Sequence, residues 1–280
     1  MSERDDVINK HEQILYPTVR VSTSRGGGSG TVLFSGKDKS DMCVTMILTN
    51  HHVIEDCIEV KDNVWDQRLG KSVKREFKQA VKVEFFHYND YSHCIGSRGV
   101  DADIIAYDAL QDIALLKLRD KENIANHVAR IIPTDKLDTI HIFDQVWCCG
   151  AALGHPPLPT MGYIGGLDDE YDNYKYGLSS ASTVYGSSGG ALFKYSADRD
   201  MYEYIGMPAM CEVSFTGFSP SLVSHMSYFI PIERIIAFLD ENCYTFIYDR
   251  EISIEQCNKN RDKVKRDSRT ELERNEGVVG

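Results

Sequence analysis

The chain has 280 residues, 42% of them hydrophobic, 26% charged and 10% aromatic, with 21 glycines and 8 prolines; this balance excludes a disordered, collagenous or coiled-coil protein. Its 31 basic and 42 acidic side chains leave a net charge of −11, whose averaged field repels phosphate backbones and anionic membranes, so nucleic acid is not the expected partner. The length suits one large domain or two packed subdomains.

In chain order, residues 1–17 read as a polar lead-in with one helical turn at 7–15, and charges stand where a secretion signal needs an apolar stretch. No export signal is visible, and a cytoplasmic or other intracellular location is expected. Short β-branched runs follow at 17–22, 30–34, 43–48, 81–86, 103–107, 113–118, 145–149, 191–195 and 202–207, separated by Gly, Asn, Asp and Pro turns, which predicts an all-β sandwich or barrel. The polar stretches DNVWDQRLGKSVKREFKQ and NDYSHCIGSRG interrupt the pattern and read as enlarged surface loops. PIERIIAFL, at 231–239, is an amphipathic helix: Pro231 suits its first turn, Glu233 its positive end, and Ile232, Ile235, Ile236 and Leu239 share a face. After an apolar run at 244–248, the tail NKNRDKVKRDSRTELERNEGVVG mixes charges without an apolar stripe, as a solvated helix or a disordered segment does. No apolar run approaches the roughly 20 residues of a membrane span, and no internal repeat is visible.

Eight cysteines, at 43, 57, 94, 148, 149, 211, 243 and 257, are expected to be mostly reduced. The adjacent Cys148 and Cys149 would point to opposite faces of a strand, which suits packing rather than bridging. There is no CxxC pair, and His87, His93 and Cys94 lack a zinc-site spacing, so no metal is expected.

Four segments carry residue types that nucleophilic catalysis requires: GSGTVLF at 28–34, CVTMILTNHHVI at 43–54, DIALLKL at 112–118 and GSSGGAL at 186–192. A serine hydroxyl needs a general base, a group that orients the base, and backbone N–H donors aimed at the developing oxyanion. Glycines around a serine let the backbone turn such donors inward. Taken singly, each segment has a plainer reading: a glycine-rich turn, a strand end with one packed imidazole, a turn aspartate. Together, His, Asp and Ser at the edges of apolar strands follow the order of the chymotrypsin-type triad.

On these motifs the chain resembles the trypsin-like serine peptidases, and most closely their HtrA (Deg) branch. GSGTVL is similar to that branch's GSGxxI strand, LTNHHVI to LTNxHVV, DIALLKL to DLAVLK, YGSSGGALF to the GNSGGAL serine box, and SYFIPIERII to the closing GFAIP-helix segment. The likeness covers about residues 19–239. It implies an all-β fold of two Greek-key six-stranded β-barrels with a C-terminal helix: 18–121 with the His and Asp, 122–240 with the Ser and the closing helix, and 241–280 as a charged tail. It implies peptide-bond hydrolysis with His52 as base, Asp112 as orienting acid and Ser188 as nucleophile; His51, Asp103, Asp108 and Ser187 are the neighbouring competitors. The N–H groups of Gly186 and Ser188 would bind the oxyanion. Ser182, Thr183, Ala209, Met210 and Cys211 would form the pocket for the residue before the cut, with no acid to favour Lys or Arg, and His225 a further candidate. No cofactor is implied, and the partner is a protein or peptide substrate. Two departures stand out: Ser187 replaces the acid that digestive-type enzymes carry before the serine, and too few residues follow the closing helix for a PDZ domain. The same scaffold also serves non-catalytic binding proteins and the processing proteases of viruses and mobile elements.

Overall fold

The structure, a computed structural model, describes residues 3–67, 70–120, 125–216 and 219–276. Two closed antiparallel barrels carry most of the chain. The first is built from β1 (Thr18–Ser22), β2 (Gly27–Lys37), β3 (Cys43–Thr49), β6 (Val81–Tyr88), β7 (Cys94–Asp108) and β8 (Ile113–Leu118); a separate hairpin, β4 (Ile58–Asp66) and β5 (Lys71–Lys78), stands between β3 and β6 in sequence. The second comprises β9 (Gln145–Gly150), β10 (Leu158–Tyr171), β11 (Tyr174–Ser179), β12 (Ala191–Ser196), β13 (Met201–Thr216) and β14 (Ser219–Pro231). The neighbour orders β1-β2-β3-β8-β7-β6 and β10-β11-β14-β13-β12-β9 are the same cyclic Greek key when each barrel is counted from its own first strand. The boundary expected between residues 121 and 122 lies outside the described residues.

Alternation along the strands assigns the core. In β6, Val81, Val83 and Phe85 point into the first barrel while Lys82, Glu84 and Phe86 alternate outward. In β3 and β8 both faces are covered: Ile47, Ala114 and Leu116 fill the first barrel, whereas Met46, Leu48, Ile113 and Leu115 join the core of the second. Hence their sequences read as continuous apolar runs. Cys148 and Cys149 are both buried; Cys148 lies near Tyr204, and Cys149 faces Thr18 and Tyr88 of the first-barrel side. All eight cysteines are free thiols.

Three segments differ from the expectation: in NDYSHCIGSRG, expected as a loop, the residues from Cys94 onward already belong to β7 and pair with β6, their exposed side chains leaving no apolar alternation. The polar stretch after His52 is the β4–β5 hairpin, whose side chains are exposed or half-exposed on both faces, so no apolar alternation marks it. The N-terminal segment is more than a polar lead-in: helix α1 (Glu3–Lys10) continues into a wider turn, His11–Leu15, that buries Ile14 and Leu15. It is held by Tyr202, whose hydroxyl donates to Asp6 at 2.7 Å and whose N–H donates to Gln13 at 2.7 Å. The expected amphipathic helix is α2 (Ile232–Glu241), burying Ile232, Ile235, Phe238 and Leu239. The charged tail forms α3 (Ile254–Glu276), anchored near its start by buried Cys257 and by Arg261 over the Tyr244 ring. No described helix is long and apolar enough to cross a membrane.

Candidate active site

Strand β3 ends at Thr49, and after Asn50 the chain turns through a single helical turn, His51–Val53. Opposite it, Asp108 closes a tight turn by accepting the N–H groups of Leu110 and Gln111, both at 2.9 Å. Asp112 follows with φ +57, a left-handed conformation that aspartate tolerates better than most residues, and β8 begins. The two turns are locked together by Asn50, whose amide donates to the Asp112 carbonyl at 2.9 Å.

This places His52 on Asp112. The His52 main-chain N–H donates to Asp112 Oδ1 at 2.9 Å, and ring Nδ1–H donates to Oδ2 at 2.8 Å. With Nδ1 carrying the proton, Nε2 is left as an acceptor. Burial works to lower the imidazole pKa, but the hydrogen bond and charge of Asp112, together with Glu55, outweigh it and raise it above the usual 6.5. The His52 side chain remains 44% exposed and that of Asp112 20%. His51 turns away: its ring stacks on Tyr107 at 5.1 Å, and burial lowers its pKa. Asp103 pairs with Arg119, which leaves it no part in this cluster.

Ser188 lies in the turn between β11 and β12. Ser187 Oγ accepts the Val184 N–H at 3.2 Å, and the Ser187 carbonyl accepts the Gly190 N–H at 3.0 Å. The Tyr185 carbonyl accepts the Leu153 N–H at 2.8 Å. Because a trans peptide points its N–H opposite to its C=O, these two carbonyl contacts turn the N–H groups of Gly186 and Ser188 away from Leu153 and Gly190. Neither N–H donates to any acceptor among the described residues. Gly186 has φ +92, which only glycine adopts without strain, and a Cβ there would lie 2.8 Å from the Ala151 carbonyl oxygen.

The loop meets the first barrel at β2. The Ser29 N–H donates to the Ser188 carbonyl at 2.7 Å, and a Cβ on Gly28 would lie 2.7 Å from Val53 and 2.8 Å from Ser188 O. Gly28 is thus the spacer between the histidine's turn and the serine's loop. Ser188 Oγ donates to the Ala209 carbonyl at 3.4 Å, a long contact, rather than to His52.

Of the pocket candidates, the structure gathers Thr183 and Cys211, with Thr183 Oγ1 2.8 Å from Cys211 Sγ and also hydrogen-bonded to Ser227. The Ser182 carbonyl accepts from Thr160 Oγ1 at 2.7 Å, and Met210 is exposed. Ser224 to Met226 bulge out of the β13–β14 register, so that the Ser224 carbonyl accepts the Thr183 N–H at 2.8 Å while the following His225 is exposed. A cleft of about 360 Å³, lined by Arg20, Gly28, Ala151, Leu153, Tyr185 and Gly186, runs between the barrels beside the loop. Among the described residues no group of three or more His, Cys, Asp or Glu could hold a metal. Sequence reasoning missed Ser29, Thr49 and Asn50, all fully buried polar residues; their signal was a polar side chain inside an apolar strand motif.

A search of curated proteins finds no match. Among solved structures the chain is similar to the serine endoprotease from Yersinia pestis, with a TM-score of 0.53 and 21% identity over 84% of this chain and 65% of that one. At this identity the likeness speaks for the fold, and the match spans less than two thirds of that protein. The family model for the trypsin-like peptidase domain matches residues 28–199, from the glycine-rich strand β2 through the serine loop and β12. With more than half its length matched and both barrels in place, the chain belongs to the trypsin-like peptidase family.

Proposed function

We propose that the protein is a serine-type endopeptidase that cleaves peptide bonds through an acyl-enzyme. The observation that carries this reading is the His52–Asp112 pair beside a loop whose Gly186 and Ser188 N–H groups are uncommitted. Ser188 Oγ leaves Ala209 O, turns to His52 Nε2 and attacks the scissile carbonyl as His52 takes its proton. Asp112 holds the imidazole and stabilises its cation, and the two N–H groups receive the oxyanion. His52 then returns the proton to the leaving amine, and water, activated by the same imidazole, releases the acyl group. In this division of labour the barrel within 18–121 supplies base and acid, and that within 122–240 supplies the nucleophile.

The side chain before the cut would enter beside Ser182 and Thr183, along Ala209, Met210 and Cys211. Thr183 and Cys211 offer no charge there, and Thr183 Oγ1 is already occupied by Cys211 and Ser227. This favours a small uncharged residue over Lys, Arg or an acid. The cleft lined by Arg20, Leu153 and Tyr185 would take residues on the leaving-group side.

Treatment with a fluorophosphonate probe tests the reading. The native protein and Ser187→Ala should be labelled and Ser188→Ala should not. Labelling that survives Ser188→Ala removes the nucleophile assignment; a native protein that is never labelled points instead to a peptidase-fold binding protein. Cleavage of a proteome-derived peptide library would then define the pocket.

A further inference from the structure

Ser29 is fully buried in β2, yet both its N–H and its hydroxyl reach across to the second barrel. Its N–H donates to the Ser188 carbonyl at 2.7 Å, and its carbonyl accepts Thr49 Oγ1 at 2.7 Å. Its hydroxyl donates to the Gly186 carbonyl at 2.6 Å and accepts the Ala151 N–H at 2.6 Å. Both residues assigned to the oxyanion therefore have their carbonyls fixed by one residue of the opposite barrel.

The hydroxyl is the discriminating part. A serine Oγ–H rotates freely, but here the Ala151 N–H occupies its acceptor side, so its hydrogen is directed to Gly186 O. Gly186, at φ +92, has the wide backbone freedom of a glycine. A contact that fixes the plane of the 186–187 peptide limits the rotation available to the Gly186 N–H on its other side. The Tyr185 carbonyl, held by Leu153, fixes the preceding plane. Donors contribute to catalysis only when they are already aimed at the developing charge.

We propose that Ser29 is a positioning residue that preorganises the oxyanion loop from across the barrel interface, through its side chain to Gly186 and its main chain to Ser188. It touches no substrate and acts through those two residues. The Ser187–Val184 bond braces the same loop from within. The inference rests on the endopeptidase reading above for its catalytic consequence, although the conformational part does not.

The test compares the native chain with Ser29→Ala and Ser29→Cys on an internally quenched peptide, with active-site titration of each. Removing one oxyanion donor outright costs about a hundredfold to a thousandfold in kcat; loosening one should cost about tenfold or more in Ser29→Ala, with KM changed by less than about twofold. Affinity for a peptide aldehyde, whose tetrahedral adduct carries the oxyanion, should fall by the same factor, and Ser29→Cys, which retains a weak donor, should recover part of both. A merely structural role would instead reduce the titratable fraction and leave the turnover of the remaining sites unchanged, which overturns the proposal. Should Ser29→Ala fail to fold, the same kcat-against-KM split in Ser29→Cys decides. A crystal structure of either variant reads the conformation independently of activity. A 186–187 peptide left in place overturns the proposal even in an active enzyme, whereas a displaced peptide in a chain whose native form never labels overturns the endopeptidase reading alone.

Discussion

Replacing Asp112 by Asn exchanges one carboxylate oxygen for an NH2 group and sets two donors of His52 against one acceptor. In the native site Oδ1 accepts the His52 main-chain N–H at 2.9 Å and also lies 3.0 Å from ring Nδ1, whose hydrogen goes to the nearer Oδ2 at 2.8 Å. An amide has a single acceptor oxygen. If that oxygen stays on the main-chain N–H, the amide NH2 faces Nδ1, which must become the acceptor; the proton moves to Nε2, and the base is lost. If the oxygen turns to Nδ1, the NH2 opposes the main-chain N–H, an unsatisfied donor worth about 1–3 kcal/mol. A main chain cannot change tautomer and an imidazole can, so the first arrangement prevails. A penalty of about 1–3 kcal/mol for restoring the active tautomer is a factor of about 5 to 150, and loss of the carboxylate charge beside the imidazolium adds to it. The total expected is about a thousandfold to ten-thousandfold in kcat, or about 4–5.5 kcal/mol of transition-state stabilisation. KM should stay within about threefold. Steady-state turnover normalised by active-site titration measures it, with thermal unfolding as the control for folding. A folded Asp112→Asn protein retaining kcat within tenfold of native would refute the role given to Asp112.

Because Asp112 and Glu55 outweigh burial at His52, the acid limb of kcat/KM should be centred above pH 6.5, activity being lost as pH falls and the imidazole protonates; a limb below 6.5 contradicts this. The folding linkage has the opposite sense: a pKa raised by folding contributes stability that is fully present below pH 6.5 and is lost as pH rises through the folded value. Arg234 donates to the carbonyls of Gln111 at 2.9 Å and Lys175 at 3.0 Å and lies 4.7 Å from the Tyr174 and Tyr176 ring centroids. Arg234→Ala should therefore destabilise the chain by about 1–3 kcal/mol in urea unfolding and lower kcat through the Asp112 turn; an unchanged midpoint counts against that anchor. An aromatic disulfide reagent should titrate at most the half-buried Cys43, Cys94, Cys211 and Cys243 in the native protein, with Cys57, Cys148, Cys149 and Cys257 reacting only on denaturation; burial pushes the Cys149 thiol up to about 12. Gly28→Ala should separate the histidine's turn from the serine's loop, with kcat falling more than stability, as activity and calorimetry on one sample would show.

How much of this was legible depended on which faces a segment buries. β3 and β8 are covered on both sides, and their apolar runs stood out together with the residues that end or begin them, His52 and Asp112. The serine loop was legible because its backbone course demands glycines. The β4–β5 hairpin left little signal, since of its described side chains only Ile58 packs against a core and its cross-strand contacts, such as Lys74 with Asp62 and Lys61 over Phe77, involve exposed charges. The same holds for the Greek-key order shared by the two barrels: strand order is a property of pairing, not of side-chain identity, so the chain shows no repeat even though the topology recurs. Of the N-terminal helix only a turn at 7–15 was legible, because its docking rests on Ile14, Leu15 and a few polar contacts to Tyr202, a tertiary partner almost 190 residues away.

The arrangement also explains why the interface between the barrels is built in two materials. Leu33, Val44, Met46, Leu48, Ile113 and Leu115 of the first barrel belong to the same buried cluster as Ala191, Leu192 and Tyr204 of the second. Ile113 adjoins Asp112, and Ala191 lies three residues beyond Ser188. Close-packed apolar contacts of this kind resist displacement and fix the distance between the barrels, but dispersion is non-directional and cannot aim an N–H group. Direction comes from a few polar bonds: those of Ser29 cross to the serine loop, while those of Thr49 and Asn50 brace β2 and the Asp112 turn within the first barrel, each buried enough that leaving it unmade is costly. Substitutions in the apolar layer should accordingly shift stability and turnover together, whereas those among these polar residues should separate them, with turnover falling further than stability.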